Sequence, residues 1–165
     1  MSDRQDHVDR FLAELEPVEG LDFEVEGIVD RISGINRRIK RGMEVTLAEY
    51  DLTTQDFHLL GRLRYSGPAT PGSLAKYAEL STGAMTSRLD KLEREGLVRR
   101  VPSPDDRRSV VVELTDEGRA KYEQAVSVQG RKEAFFASAL TKADQKKLND
   151  LLRKLLLALE DALPD

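Results

Sequence analysis

Cysteine is absent from the 165 residues of this chain. No disulfide framework, thiolate metal site or cysteine-based redox sensor can be built from it. Tryptophan is absent too, and the two histidines, His7 and His58, stand far apart. Zinc sites draw mainly on Cys and His, so no metal site is expected, and no cofactor. No apolar run approaches the roughly 18 residues that a membrane-spanning helix needs, so no membrane partner is expected. The opening residues MSDRQDHVDRF are too polar for a secretory leader, and the expected location is the cytoplasm. Phosphate loops, nucleophile–base–orienter sets and metal pairs are missing as well. Gly83 and Gly96 suit helix geometry better than a nucleotide site. Asp105 and Asp106 fall at a hairpin tip, where water would reach them. No catalytic residue is expected.

What is present is a helix-rich, charged chain, 39% hydrophobic and 34% charged, with a net charge of −4. The distribution of charge says more than its total. Between Lys76 and Arg108 there are eight basic and six acidic residues, so this segment is basic within an acidic chain. An acidic remainder would discourage a polyanion from lying across the wrong face.

Periodicity divides the chain into helices and one hairpin. Residues 2–15 form a short amphipathic segment in which Val8, Phe11, Leu12 and Leu15 recur at helical spacing, until Pro17 and Gly20 break it. Residues 22–48 form a longer helix with a broad apolar face, from Phe23 and Val25 through Ile28, Ile32, Ile35 and Ile39 to Leu47. Arg37, Arg38, Lys40 and Arg41 form a basic cluster on it, read as a solvated face. Residues 53–65 follow, with Thr53 or Thr54 as N-cap. Thr70-Pro71 opens a short helix at 71–78, with Thr70 as N-cap and proline at the first helical position.

The stretch from Leu80 to Thr115 is the most informative. Ser81 is read as the N-cap of an amphipathic helix whose inner face is Met85, Leu89 and Leu92, and Gly96 supplies its left-handed stop. Leu97–Val101 and Ser109–Leu114 read as strands, the second rich in β-branched valines, with Pro102 to Arg107 as the turn. Thr115 then caps a helix from about 116 to 139, and Thr141 another from about 142 to 163.

Two helices joined by a tight turn and followed by a hairpin make a winged helix-turn-helix. One element of such a lobe enters the DNA major groove and another reaches the minor groove or backbone. The outer face of the second helix offers Thr82, Gly83, Thr86, Ser87, Asp90 and Lys91, with Arg88 at the edge. Small hydroxyl residues let the backbone approach base edges and phosphates closely. Ser103-Pro104-Asp105-Asp106-Arg107-Arg108 projects as the wing tip, and arginines favour narrow minor grooves. Taken singly, each has a bland reading: a solvated two-helix corner, and a charged hairpin that guards a sheet edge. Side by side they favour DNA.

The residues from Leu74 to Thr115 resemble the MarR family, the multiple antibiotic resistance regulators. The matching pieces are TGAMTSRLDKLEREGLV, then DDRRSVVVELT followed by DEG. The resemblance extends to the order and length of the flanking helices over about residues 22–163, and residues 1–20 are an extension that only some members have. It implies a bacterial homodimer that binds palindromic operator DNA, usually as a repressor released by a small ligand or oxidant. Asp106 and Arg108 match the family's Asp-x-Arg wing pair, with Arg108 expected at the minor groove, and Thr82 to Arg88 match the exposed start of the recognition helix. Lack of cysteine separates this chain from peroxide-sensing members. Two histidines without cysteine separate it from zinc-sensing ones. Lack of tryptophan argues against the urate-responsive branch, despite Asp56 in a comparable helix.

In the last helix Leu148, Leu151, Leu152, Leu155, Leu156, Leu159 and Leu163 span an arc too wide for one seam. One side suits its own chain and the other a second copy; the bland alternative is a core helix of a larger monomer. A two-fold dimer would read half-sites about 34–36 Å apart.

The expected fold class is therefore mainly α with a small β-hairpin wing. Residues 1–20 form an N-terminal extension, 21–52 and 116–165 a helical dimerisation region, and 53–115 the winged lobe. The expected function is a homodimeric, sequence-specific DNA-binding repressor that responds to a ligand. Its DNA-binding residues are Ser81, Thr82, Thr86, Ser87, Arg88, Asp106, Arg107 and Arg108. Its partners are double-stranded DNA, a second copy and a small-molecule effector. Tyr50, Phe57, His58, Arg62 and Tyr65 lie near the crevice where an effector would sit, and the sequence does not choose among them. The rival readings are a winged-helix protein-interaction module and a metabolite-binding protein without DNA output.

Overall fold

The computed structural model describes residues 4–16, 19–104 and 109–162. It is mainly helical with one antiparallel hairpin, as the residue pattern requires. The chain divides into two compact units, residues 1–59 and 60–165.

The first unit holds α1 (His7–Glu14), α2 (Phe23–Ala48) and the opening of α3 (Thr54–Ser66). Helix α1 starts at His7, later than the expected residue 2, because Asp6 caps it. The Asp6 carboxylate accepts from the N–H groups of Val8 (2.8 Å) and Asp9 (2.9 Å), and the Asp9 carboxylate accepts from the Asp6 N–H at 3.0 Å. This capping box satisfies N–H groups that have no partner inside the helix. The same two carboxylates accept from Arg31 of α2, Asp6 at 3.0 Å. Gly27 and Gly34, two turns apart on α2, leave room for Leu12 and His7 of α1, which lie 3.4 and 3.3 Å from where their Cβ atoms would stand. Pro17, expected to break the segment, lies outside the described residues. Helix α3 begins with a second reciprocal cap. Thr53 Oγ1 accepts from the Asp56 N–H at 3.1 Å, and Asp56 accepts from the Thr53 N–H at 3.0 Å, so Thr53 rather than Thr54 is the cap. Leu47, Leu52 and Leu59 are buried, while Val25, Ile28, Val29, Ile32, Ile35 and Ile39 of α2 remain 40–51% exposed.

The second unit continues α3 and adds α4 (Pro71–Tyr77), α5 (Thr82–Arg94), β1 (Val98–Pro102), β2 (Val110–Leu114), α6 (Asp116–Ala137) and α7 (Lys142–Ala162). Its core is Leu60, Leu63, Leu74, Met85, Leu89, Leu92, Leu97, Val98 and Val112. The strands pair from Val98 opposite Leu114 to Pro102 opposite Val110. Pro102 thus ends a strand instead of opening the turn, a terminal place where its missing N–H costs least. Ala69 forms an isolated antiparallel bridge to β2, donating to Val112 at 3.0 Å and accepting from it at 2.8 Å. Helix α6 stops at Ala137, two residues earlier than expected, and Thr141 caps α7 by accepting from the Asp144 N–H at 3.2 Å. None of the described residues of α7 is buried, and Leu148, Leu151, Leu152, Leu155, Leu156 and Leu159 are 40–57% exposed. Leu163, counted with that face, lies outside the described residues. Among the described residues no helix is long and apolar enough to cross a membrane, and no cluster of acids and histidines could hold a metal ion.

Candidate nucleic-acid interface

The site is built from α4, the turn after it, α5 and the hairpin. Thr70 Oγ1 accepts from the Ser73 N–H at 3.2 Å, and Pro71 occupies the first turn, where no N–H is missed. Leu74 and Ala75 bury one side of α4. The chain then reverses through Glu79, which stands at φ +52. The Glu79 N–H donates to the Lys76 carbonyl at 3.3 Å and the Leu80 N–H to the Ala75 carbonyl at 2.9 Å, which closes α4 with a left-handed cap. Sequence reading placed the turn but not this strain, because glutamate carries no signal for the left-handed region.

Ser81 caps α5, its Oγ accepting from the Ala84 N–H at 3.3 Å. Met85, Leu89 and Leu92 anchor the helix by their burial. Thr82, Gly83, Thr86 and Ser87 are therefore presented outward, all exposed, with Arg88 partly buried beside them. The Thr86 hydroxyl donates to the Thr82 carbonyl at 2.9 Å and keeps its lone pairs for other donors. A Cβ placed on Gly83 would meet nothing within 4 Å. The packing of the chain does not ask for glycine there.

Gly96, at φ +72, ends α5 as expected. Thr115 Oγ1 donates to the Gly96 carbonyl at 2.6 Å and accepts from the Gly118 N–H at 3.0 Å, which ties the start of α6 to the end of α5. On the hairpin, Arg99 pairs with Glu113 directly opposite. Arg100 turns back to α5, donating to Asp90 at 2.7 Å and to Glu93. Partial burial opposes the Arg100 charge, but the hydrogen bonds to Asp90 and Glu93 outweigh it and hold its pKa above the ordinary value. This three-residue cluster escaped sequence reading, which placed Asp90 on the open face of the helix. The spacing of Asp90 and Glu93 puts both on one side of α5, but only the fold brings Arg100 to them. The hairpin continues past β1 with the Ser103 N–H donating to the Ser109 carbonyl at 2.8 Å. Asp105, Asp106, Arg107 and Arg108, the wing-tip residues singled out from sequence, lie outside the described residues.

A capped second helix with an exposed polar start, followed at once by an antiparallel hairpin, defines a winged helix-turn-helix, the architecture of DNA-binding transcriptional regulators. The MarR family model matches residues 52–110. The transcriptional regulator PecS of Dickeya dadantii is 31% identical over 135 residues, 80% of this chain and 81% of that protein. The multiple antibiotic resistance protein MarR of Salmonella typhimurium is 33% identical over 123 residues, 74% of this chain and 85% of that protein. Among solved structures, a cysteine-to-serine mutant of Escherichia coli MarR complexed with operator DNA is 32% identical. It superposes with a TM-score of 0.63 and covers 81% of this chain and 96% of its own. The chain belongs to the MarR family. Members of that family are transcriptional regulators and not enzymes.

Proposed function

We propose that this chain is a homodimeric repressor that binds a palindromic operator and is released by a small-molecule effector. The observation that carries the DNA reading is the start of α5: a cap, then Thr82, Gly83, Thr86 and Ser87 held outward by three buried apolar residues. In this reading Ser81, Thr82, Thr86, Ser87 and Arg88 face the major groove, as a recognition helix requires. Arg107 and Arg108 enter the minor groove, with Asp106 orienting a guanidinium. That a MarR structure is bound to operator DNA supports the same use of this lobe.

The dimer reading rests on two exposed apolar faces, the isoleucine stripe of α2 and the leucines of α7. A helix with no fully buried residue that carries six half-exposed leucines calls for further cover in water. A second copy answers this with two-fold symmetry, and the same symmetry explains a palindromic site. Residues 21–52 and 116–165 would form this dimerisation region, 53–115 the DNA-binding lobe, and 1–20 a packing extension, in a cytoplasmic protein. An effector would act by favouring one spacing of the two recognition helices, with a coupling of about 1–3 kcal/mol.

Fluorescence anisotropy against DNA from upstream of its own gene, with scrambled competitor and varied salt, tests the reading. Palindrome-dependent, salt-sensitive binding at two chains per site is expected. Arg108→Ala is expected to weaken it strongly while light scattering still reports a dimer. Undiminished affinity in that variant would sink the wing assignment, and a monomer at working concentration would sink the dimer.

A further inference from the structure

One side chain joins the recognition helix to the hairpin. Arg100 of β1 donates from Nη2 to Asp90 at 2.7 Å and from Nη1 to Glu93, and its backbone N–H donates to the other Glu93 oxygen at 2.9 Å. Asp90 and Glu93 are three residues apart on α5 and so sit side by side, a fork that fits a planar guanidinium and not a point charge. Behind Arg100 the hairpin is tied to a further segment of the chain. Its strand partner is Val112, which exchanges both backbone hydrogen bonds with Ala69. On the other side of the link, Asp90 follows Thr86 by four residues and is exposed on the same outer face.

We propose that Arg100 is a positioning residue for DNA recognition: it fixes the angle of the hairpin on α5 and thereby makes the wing and the recognition helix read DNA as one unit. The inference rests on the DNA-binding reading above and adds a role for a residue outside the contacting set. In this role Arg100 spends its charge on Asp90 and Glu93, not on phosphate. It also neutralises two carboxylates beside a surface that must approach a polyanion.

Breaking the link from the acid side separates positioning from charge. The combination of Asp90→Asn and Glu93→Gln keeps the Arg100 cation and removes two negative charges near the DNA. If those charges only repelled DNA, or if Arg100 served as a phosphate contact, this variant would bind operator as tightly as the original or more tightly. Positioning requires weaker binding, by about tenfold, and a similar loss in Arg100→Gln. The two losses should not add when all three changes are combined. Arg100→Lys, which keeps charge but lacks the fork, should rescue little. Arg108→Ala should cost less affinity in either unlinked variant, because the hairpin that carries Arg108 is no longer held on α5. A role in lobe stability alone would lower the melting temperature of all these variants but leave the cost of Arg108→Ala unchanged. Asp90→Asn alone serves as the milder variant if the double one folds poorly. Operator affinity at or above that of the original chain in a folded acid-side variant overturns the proposal. Failure of the unaltered chain to bind any operator would instead overturn the DNA-binding reading on which it stands.

Discussion

Gly118 lies so close to Leu97 that a Cβ on it would overlap the Leu97 carbonyl oxygen. The contact is backbone against backbone position, so no flexible side chain can yield. It arises where α6 starts against the end of α5, with the Thr115 N–H donating to the same Leu97 carbonyl at 3.2 Å. Gly118→Ala is therefore expected to destabilise the second unit by about 1–3 kcal/mol, the usual range for overpacking. Denaturant unfolding followed by circular dichroism measures this, and a neutral result would mean that α6 can shift without penalty.

Tyr122 offers a different check, through pH. Its ring is buried and meets Tyr65 edge-on, with centroids 6.1 Å apart. Burial, followed by the nearby Tyr65, pushes its phenol pKa up from 10.0 to about 12. A folded-state pKa above the unfolded one means that folding favours the protonated form. The contribution is fully present below pH 10 and is lost as pH rises toward 12. Thermal melts across this window should show a falling midpoint. Tyr122→Phe should flatten that fall while lowering stability at neutral pH by about 1 kcal/mol for the lost hydroxyl contact.

Glu79 marks where the turn of the helix-turn-helix strains its backbone. At φ +52 an L-residue with a Cβ costs about 1–2 kcal/mol relative to glycine's freedom there. The side chain is exposed, so little packing would be lost on its removal. Glu79→Gly is expected to stabilise the lobe by about 1 kcal/mol, partly offset by the greater freedom of glycine in the unfolded chain. A lowered denaturation midpoint would mean that the glutamate side chain contributes something its exposure does not suggest.

These residues also show what could be read in the chain before its fold was known. The hydroxyl caps at Thr70, Ser81, Thr115 and Thr141 stand one residue before their helices, because capping is local chemistry. Apolar spacing likewise located the buried face of α5. Boundaries moved where a cap was overlooked, as at α1, which Asp6 opens at His7 and not at residue 2. What could not be read depends on distance in sequence. The Arg100 link needs β1 folded back on α5, and the crowding at Gly118 needs Leu97 brought beneath it. The left-handed turn at Glu79 was hidden for another reason: the surrounding helices impose a conformation that the residue type does not prefer.

Gly83 separates stability from recognition most cleanly. It occupies the second position of α5, is exposed, and has open space where a Cβ would stand. Glycine in a helix is less favourable than alanine by about 1 kcal/mol. Gly83→Ala should therefore raise the thermal midpoint of the lobe, since the methyl group meets no atom of the chain. If the start of α5 lies against DNA, the same methyl group intrudes between helix and base edges, and operator affinity should fall by about tenfold. Opposite signs in the two measurements, from one methyl group, are hard to produce by general damage to the fold. Raised stability with unchanged affinity would move the DNA-facing surface away from Gly83, and the contacts proposed for Thr82 and Thr86 would have to be redrawn with it.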